Sequence, residues 1–246
     1  MKVINCNFLR ATKLDLNHII RIGSIRDGGY YVTKRLVEDS DFLISAGISY
    51  NVEFEKDFKE INPACKIILI DGSFNLLTYL LRPFYWFFFK RSYVKNIGGL
   101  VDMIILKSQT KFIKKFIGIE NGITLTQIFN TYIKNEKNGY LKFDIEGSEY
   151  NLLDEVLLFK EKIIGLSIEF HDVTNHITEV NGFINKLEMD MIGFNINEIG
   201  GLSDNEIPNT IELSFADKKY TNPSNYDNVC GKVFSNEFDN ELMIPQ

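Results

Sequence analysis

The sequence is poor in the residues that mark secreted, metal-clipped or nucleic-acid-coating proteins. It has three cysteines in 246 residues, Cys6, Cys65 and Cys230, and no two are spaced as a metal pair. So sparse and odd a set predicts reduced thiols and a cytoplasmic protein. The first ten residues lack an apolar core of signal-peptide length, which predicts no secretion. Basic residues do not dominate: 27 Lys and Arg against 33 Asp and Glu give a formal net charge of −6. That balance predicts no nucleic-acid partner held by overall electrostatics. No uninterrupted apolar run approaches the ~20 residues of a membrane-spanning helix. Histidine is scarce, and His18 and His176 sit in polar helical contexts. A full glycine-rich dinucleotide fingerprint is missing, and there is no internal repeat.

What is present is an ordinary globular mixture, 45% hydrophobic and 24% charged, which suits one α/β domain over residues 1–246. Residues 1–40 read as a lead-in, with a short amphipathic helix over 15–22. A turn at Asp27-Gly28-Gly29 then leads into an edge strand at Tyr30-Tyr31-Val32. Residues 41–45 form a buried-type strand that enters Ala46-Gly47-Ile48-Ser49. A helix through Val52, Phe54, Glu55 and Phe58 follows, then an apolar strand over 66–70 with Asp71 at its tip. Asp71 lies 24 residues after Gly47 (71 − 47). That suits a carboxylate for ribose hydroxyls, expected roughly 20 residues after a glycine turn, although Asp71 before Gly72-Ser73 also suits a helix N-cap.

Residues 74–110 form an aromatic-rich insertion or lid. Its Phe84–Phe89 block, flanked by Lys90-Arg91, fits a packed core helix, a homodimer interface or a peripheral membrane contact over 84–91. A third strand is expected over 111–117 and a Thr124-capped helix over 125–133. A strand over 162–171 and a helix over 174–191 come later. Two strands over 193–199 and 210–216 are expected to pair antiparallel, and 217–246 reads as an irregular tail. Alternating strands and helices predict a mostly parallel sheet covered on both faces, with an antiparallel strand near the C-terminus.

Chemistry concentrates in Leu141-Lys142-Phe143-Asp144-Ile145-Glu146-Gly147-Ser148-Glu149. Alternation places Asp144 and Glu146 on one face of a strand tip, Gly147 allows a sharp turn, and Ser148 is the expected cap of a helix over 149–159. Glu169 and His171 repeat the two-residue spacing on the strand that follows. Acids at carboxyl ends of strands lie where α/β sheets bind ligands.

These segments in order, with Leu43-Ile44-Ser45-Ala46-Gly47, Ile70-Asp71, Ile123-Thr124-Leu125 and Glu169-Phe170-His171, resemble FkbM-type methyltransferases over about residues 25–215. The resemblance implies a class I Rossmann-like fold and S-adenosylmethionine as cofactor. It implies methyl transfer to a hydroxyl of a sugar, nucleotide sugar or glycan precursor, in polysaccharide biosynthesis. Ala46 and Gly47 would approach the methionine portion, and Asp71 with Gly72 and Ser73 the ribose. Asp144 would face the methyl region or the substrate. The chain departs from the pattern at Ser45, where the class often carries an acid; Glu53 or Glu55 is a substitute. His171 would serve as general base with Glu169 or Asp144 orienting its ring. Alternatively the carboxylates would hold Mg²⁺ against vicinal hydroxyls; no residue is assigned as a metal ligand. Glu146 either joins this site or shapes the turn. Two competing functions are a degenerate methyltransferase-like binding protein and an NAD(P)-dependent oxidoreductase, the latter disfavoured by the missing glycines.

Overall fold

A computed structural model describes residues 18–24, 28–49, 51–74, 106, 108–197, 207–221, 231–234 and 239–241. The chain opens with a hairpin, β1 (Ile19–Gly23) and β2 (Gly29–Thr33), paired from Ile19 opposite Thr33 to Gly23 opposite Gly29. The helix expected over 15–22 is therefore a strand in its described part. Ile19, Ile20 and Ile22 gain partners across the hairpin, and that pairing overrides the local helical spacing.

After α1 (Lys34–Glu38), β3 (Phe42–Ala46), α2 (Glu53–Ile61) and β4 (Lys66–Ile70) form the expected βαβ unit. There follow β5 (Lys111–Ile113), α3 (Leu125–Tyr132), β6 (Gly139–Phe143), α4 (Leu153–Leu158), β7 (Ile163–His171), α5 (Val173–Leu187), β8 (Asp190–Asn197) and β9 (Thr210–Ala216). Two short strands, β10 (Gly231–Phe234) and β11 (Asp239–Glu241), come from the tail, β10 within 229–234, the one stretch of it where regular structure is expected. All but the hairpin join one nine-stranded sheet in the order β11-β10-β8-β9-β7-β6-β3-β4-β5. From β5 to β7 every pairing is parallel, and β9 runs antiparallel to both β7 and β8. The order β5-β4-β3-β6-β7-β9-β8 with β9 reversed is that of the class I Rossmann-like methyltransferase fold, the architecture expected.

Both faces of the sheet are covered, and this is why the parallel strands are mostly apolar. Phe42, Ile44 and Ala46 pack on one face with Ile128 and Phe129 of α3, Val156 of α4 and Phe183 of α5. Leu43, between them in sequence, packs on the other face with Phe54 and Phe58 of α2 and with Tyr30 and Val32 of the hairpin. The chain moves outward from β3 to β4 and β5, then returns to place β6 on the other side of β3. That reversal leaves a crevice at the carboxyl ends of β3 and β6.

Local expectations needed adjustment. Thr124 caps α3 through a capping box with Gln127, as its position suggests. Ser148 makes no capping bond, and the segment expected to be one helix starts as a 3-10 turn over Glu149–Leu152. The helix expected to run to 191 stops at Leu187, because Glu188 adopts a left-handed φ of 60° and Met191 pairs with Phe215 of β9. The third strand is only Lys111–Ile113, the length that β4 can pair. The Phe84–Phe89 block and the lid, interface and membrane readings attached to it lie outside the described residues. No helix among the described residues is long and apolar enough to cross a membrane.

Candidate active site at the carboxyl edge

The site is built from four strand ends. Where β3 stops, Gly47 turns with a φ of 77° and donates its N–H to the Ile70 carbonyl at 3.1 Å. A Cβ here would lie 1.4 Å from the backbone oxygen of Asp144, so glycine is required on both conformational and steric grounds. Asp144 in turn donates its N–H to the Ala46 carbonyl at 3.1 Å. The turns after β3 and β6 are thus in backbone contact across the switch point.

Asp71, at the tip of β4, has its carboxylate surrounded by donors. Oδ1 accepts from the N–H and hydroxyl of Ser73 at 2.7 and 2.6 Å and from Phe74 N–H at 3.1 Å. Oδ2 accepts from Ser49 N–H at 2.6 Å. These bonds shape the turn after β4, the helix that an N-cap would serve lies outside the described residues, and Oδ2 keeps a free lone-pair direction. Gly72 is required by Phe116, whose ring would lie 2.4 Å from a Cβ. Gly47, Asp71, Ser73, Phe116 and Asp144 line an open cavity of about 200 Å³, and Phe116 is 52% exposed.

Ser45 meets an acid of the neighbouring helix. The Ser45 hydroxyl donates to the Glu55 carboxylate of α2, and both residues are fully buried. Burial raises the Glu55 pKa, opposed chiefly by the positive charge of Lys142 and then by the Ser45 hydroxyl. Lys142 itself is buried, with Nζ 3.7 Å from Asp144 Oδ2.

At the ends of β6 and β7 the polar groups converge on His171. Its Nδ1 lies 2.9 Å from Glu149 Oε1, and its Nε2 lies 3.5 Å from Glu146 Oε2 and 3.6 Å from Glu169 Oε1. Ligand atoms of Asp144, Glu169 and His171 lie within 4.8 Å of one another. Tyr150 anchors the strand end by donating its hydroxyl to the His171 carbonyl at 2.6 Å. Burial lowers the His171 pKa, but the Glu149 hydrogen bond and the charges of Glu149, Glu146 and Asp144 outweigh it, and the net shift is upward.

The ring is bonded by Glu149, neither by Glu169 nor by Asp144 as expected. Glu149 is fully buried, and its Oε1 also accepts the N–H groups of Ile145 and Gly147 at 3.2 and 3.1 Å. It therefore performs the turn-shaping role expected of Glu146. Glu146 instead has a φ of 54°, and its side chain is 87% exposed. The strand ends at Phe143, so the alternation that would pair Asp144 with Glu146 on one face stops before Glu146. Two carboxylates on one side of a turn three residues apart, Glu146 and Glu149, were the available signal. Only burial distinguishes them.

The fold and this edge define the class: a class I methyltransferase-type α/β sheet with its polar groups at the switch point. No family model matches the chain, and no curated protein matches it in sequence. Solved structures of similar architecture include fibrillarin, a pre-rRNA processing protein of Methanococcus jannaschii, at 7% identity and a TM-score of 0.41 over 74% of this chain and 68% of that one. A precorrin-6y C5,15-methyltransferase of Geobacter metallireducens gives 8% and 0.39 over 74% and 84%. An rRNA methylase of Streptococcus thermophilus gives 7% and 0.40 over 75% and 92%. None of these likenesses bears on the acceptor of this chain. The expectation of no nucleic-acid partner is nevertheless corrected. Two of the three are proteins of rRNA processing or methylation, a finding that conflicts with that expectation.

Proposed function

We propose that the protein is an S-adenosylmethionine-dependent O-methyltransferase whose acceptor is a hydroxyl of a sugar, nucleotide sugar or surface-glycan precursor, in the manner of FkbM-type enzymes. The observation that carries the reading is the Glu149–His171 hydrogen bond set beside the Gly47–Asp144 contact. The cradle fits such a cofactor on its own geometry. A glycine turn that no side chain can enter adjoins an acid held by backbone amides, and a half-exposed aromatic ring shares the cavity. Ala46 and Gly47 would hold the methionine portion and Asp71, with Gly72 and Ser73, the ribose. Bound there, the cofactor supplies an electrophilic methyl group on a sulfonium.

The chain's own task is to orient the acceptor oxygen and remove its proton. A hydroxyl is a weak nucleophile at neutral pH, and an adjacent base contributes about 10²–10⁴-fold. With the Nδ1 proton directed at Glu149, the lone pair of the neutral ring is on Nε2, on the side of Glu169. His171 would take the hydroxyl proton at Nε2, and Glu149, Glu169 and Asp144 would stabilise the imidazolium that forms.

A second reading is favoured by one distance: Asp144, Glu169 and His171 are close enough to share a divalent cation such as Mg²⁺. Asp144, Glu169 and His171 would then hold the ion, which would supply Lewis-acid assistance to the hydroxyl in place of a base. Loss of turnover on chelation, restored by Mg²⁺, selects this second reading.

The test is thermal stabilisation by S-adenosylhomocysteine against NAD, then transfer of labelled methyl to nucleotide sugars, lipid-linked glycans and RNA. Stabilisation by S-adenosylhomocysteine alone and labelling of a sugar hydroxyl are expected. Stabilisation by NAD alone would move the chain to the oxidoreductases, and no stabilisation by either would make it a binding protein. Labelled RNA would replace the acceptor class.

A further inference from the structure

Among the described residues, Lys142 is the only cation in the buried interior, at 3% exposure. It lies on the central strand β6, where the other residues are Gly, Tyr, Leu and Phe. An ammonium is poorly accommodated in such surroundings unless several groups compensate it. The compensation here is specific. Nζ lies 3.4 Å from the Gly47 carbonyl oxygen and 3.7 Å from Asp144 Oδ2, and sits 5.7 Å from the centroid of the Tyr30 ring. Burial lowers its pKa, but the carboxylates of Asp144, Glu55, Glu169 and Glu212 outweigh it and the net shift is upward.

The two oxygens nearest Nζ belong to the two turns that form the site. Gly47 is the close-approach point of the cofactor turn, and Asp144 begins the acceptor-side turn. A leucine or methionine would fill the same space in a strand core without demanding buried acids around it. What a hydrocarbon cannot do is bond both turns at once.

We propose that Lys142 is a positioning residue that fastens the Asp144 carboxylate to the Gly47 turn, fixing the cofactor side of the site relative to the acceptor side. The proposal rests on the methyltransferase reading and adds a residue to its machinery. Lys142 touches neither reacting partner in this scheme. It acts through Asp144, whose side chain is 22% exposed and open to rotation without it. Misplacing a reacting geometry by about 1 Å costs on the order of 10²-fold in turnover, and loss of a charged hydrogen bond to the cofactor turn costs affinity about tenfold.

Removing the lysine alone leaves Glu55 buried without its main opposing charge, and Lys142→Met by itself is expected to unfold. The experiment is therefore a double-mutant cycle in a Glu55→Gln background, with Lys142→Met, Asp144→Asn and both together. Melting temperature, S-adenosylhomocysteine affinity and kcat are read for each. Lys142→Met in this background is expected to melt near its Glu55→Gln parent, to bind S-adenosylhomocysteine about tenfold more weakly, and to lose about 10²-fold in kcat. Asp144→Asn is expected to cost less kcat beside Lys142→Met than in the Glu55→Gln parent, because part of each loss is the same arrangement. A Lys142→Met variant that folds with the parent's affinity and kcat overturns the proposal, as do losses that simply multiply. A wild-type chain that binds no S-adenosylhomocysteine overturns the methyltransferase reading and this proposal with it. A wild type that binds and turns over beside a multiplicative cycle overturns only the role of Lys142.

Discussion

The two halves of the carboxyl edge handle their acids in opposite ways. At the tip of β4, one carboxylate, Asp71, meets three backbone N–H groups and a hydroxyl. At the tips of β6 and β7 the proportion is reversed: Glu146, Glu149 and Glu169 all lie within 3.6 Å of a single imidazole. The first carboxylate is held by the donors of a loop. The second group surrounds one imidazole, whose pKa burial lowers but the Glu149 hydrogen bond and the charges of Glu149, Glu146 and Asp144 raise on balance. A carboxylate fixed by loop donors thus adjoins a cluster whose charge responds to pH. Lys142, buried between them, contacts both the Gly47 turn and Asp144.

The sharpest way to break this contrast is to remove the titrating member. His171→Ala is expected to lower kcat by about 10²–10⁴-fold while leaving cofactor affinity close to wild type. Initial rates and S-adenosylhomocysteine titration check it, and full retention of activity would leave the ring a structural partner of Glu149. Forcing the halves apart is the next largest change. Gly47→Ala drives a methyl into the Asp144 carbonyl at a positive φ, and it is expected to destabilise the fold by about 3 kcal/mol, measured by urea unfolding.

Emptying the first half comes third. Asp71→Ala leaves the Ser49, Ser73 and Phe74 N–H groups without their acceptor, with an expected cost of about 1–3 kcal/mol and a loss of cofactor affinity. Asp71→Asn retains an acceptor and should lose less of each. The smallest effect is in pH. The folded His171 pKa is raised above the value near 6.5 of an unperturbed histidine. Its contribution to stability is therefore complete below about pH 6.5 and is lost as pH rises through the folded value. The melting temperature of the wild type, measured against His171→Gln, is expected to be most favourable near pH 6 and to decline toward pH 9. Glu149→Gln should flatten that decline, whereas the same scan on Asp71→Asn should still show it.

Part of this edge was legible in the residues. Asp71 after an apolar run, Gly47 after another, and Asp144 and His171 at the ends of two more were each marked by position at a strand tip. The departure at Ser45 was legible too, with Glu53 and Glu55 as candidates to offset it; of the two, Glu55 is the one bonded to Ser45 in the interior. Glu149 was hidden because it looks like the first residue of a helix, where an acid needs no special reason. Only its zero exposure and its bonds to Ile145, Gly147 and His171 distinguish it from Glu146. Lys142 was hidden for a similar reason, since a lysine alternating with apolar residues usually marks the solvent face of a strand.

The sequence by itself determined the alternation of strands and helices, the glycine turn and the acids at the strand tips. Those features depend on residues within one turn or one strand of each other, and such distances are encoded locally. Only the tertiary structure decided that Ile19–Gly23 pairs as a strand, that Asp190 already belongs to β8, and which carboxylate meets the imidazole. It also decided that β6 lies between β3 and β7 with both faces covered. That placement buries Lys142 and presses the Asp144 turn against Gly47. Burial and charge partnership are properties of neighbours that are adjacent in the sheet and distant in the chain, and no local pattern specifies them.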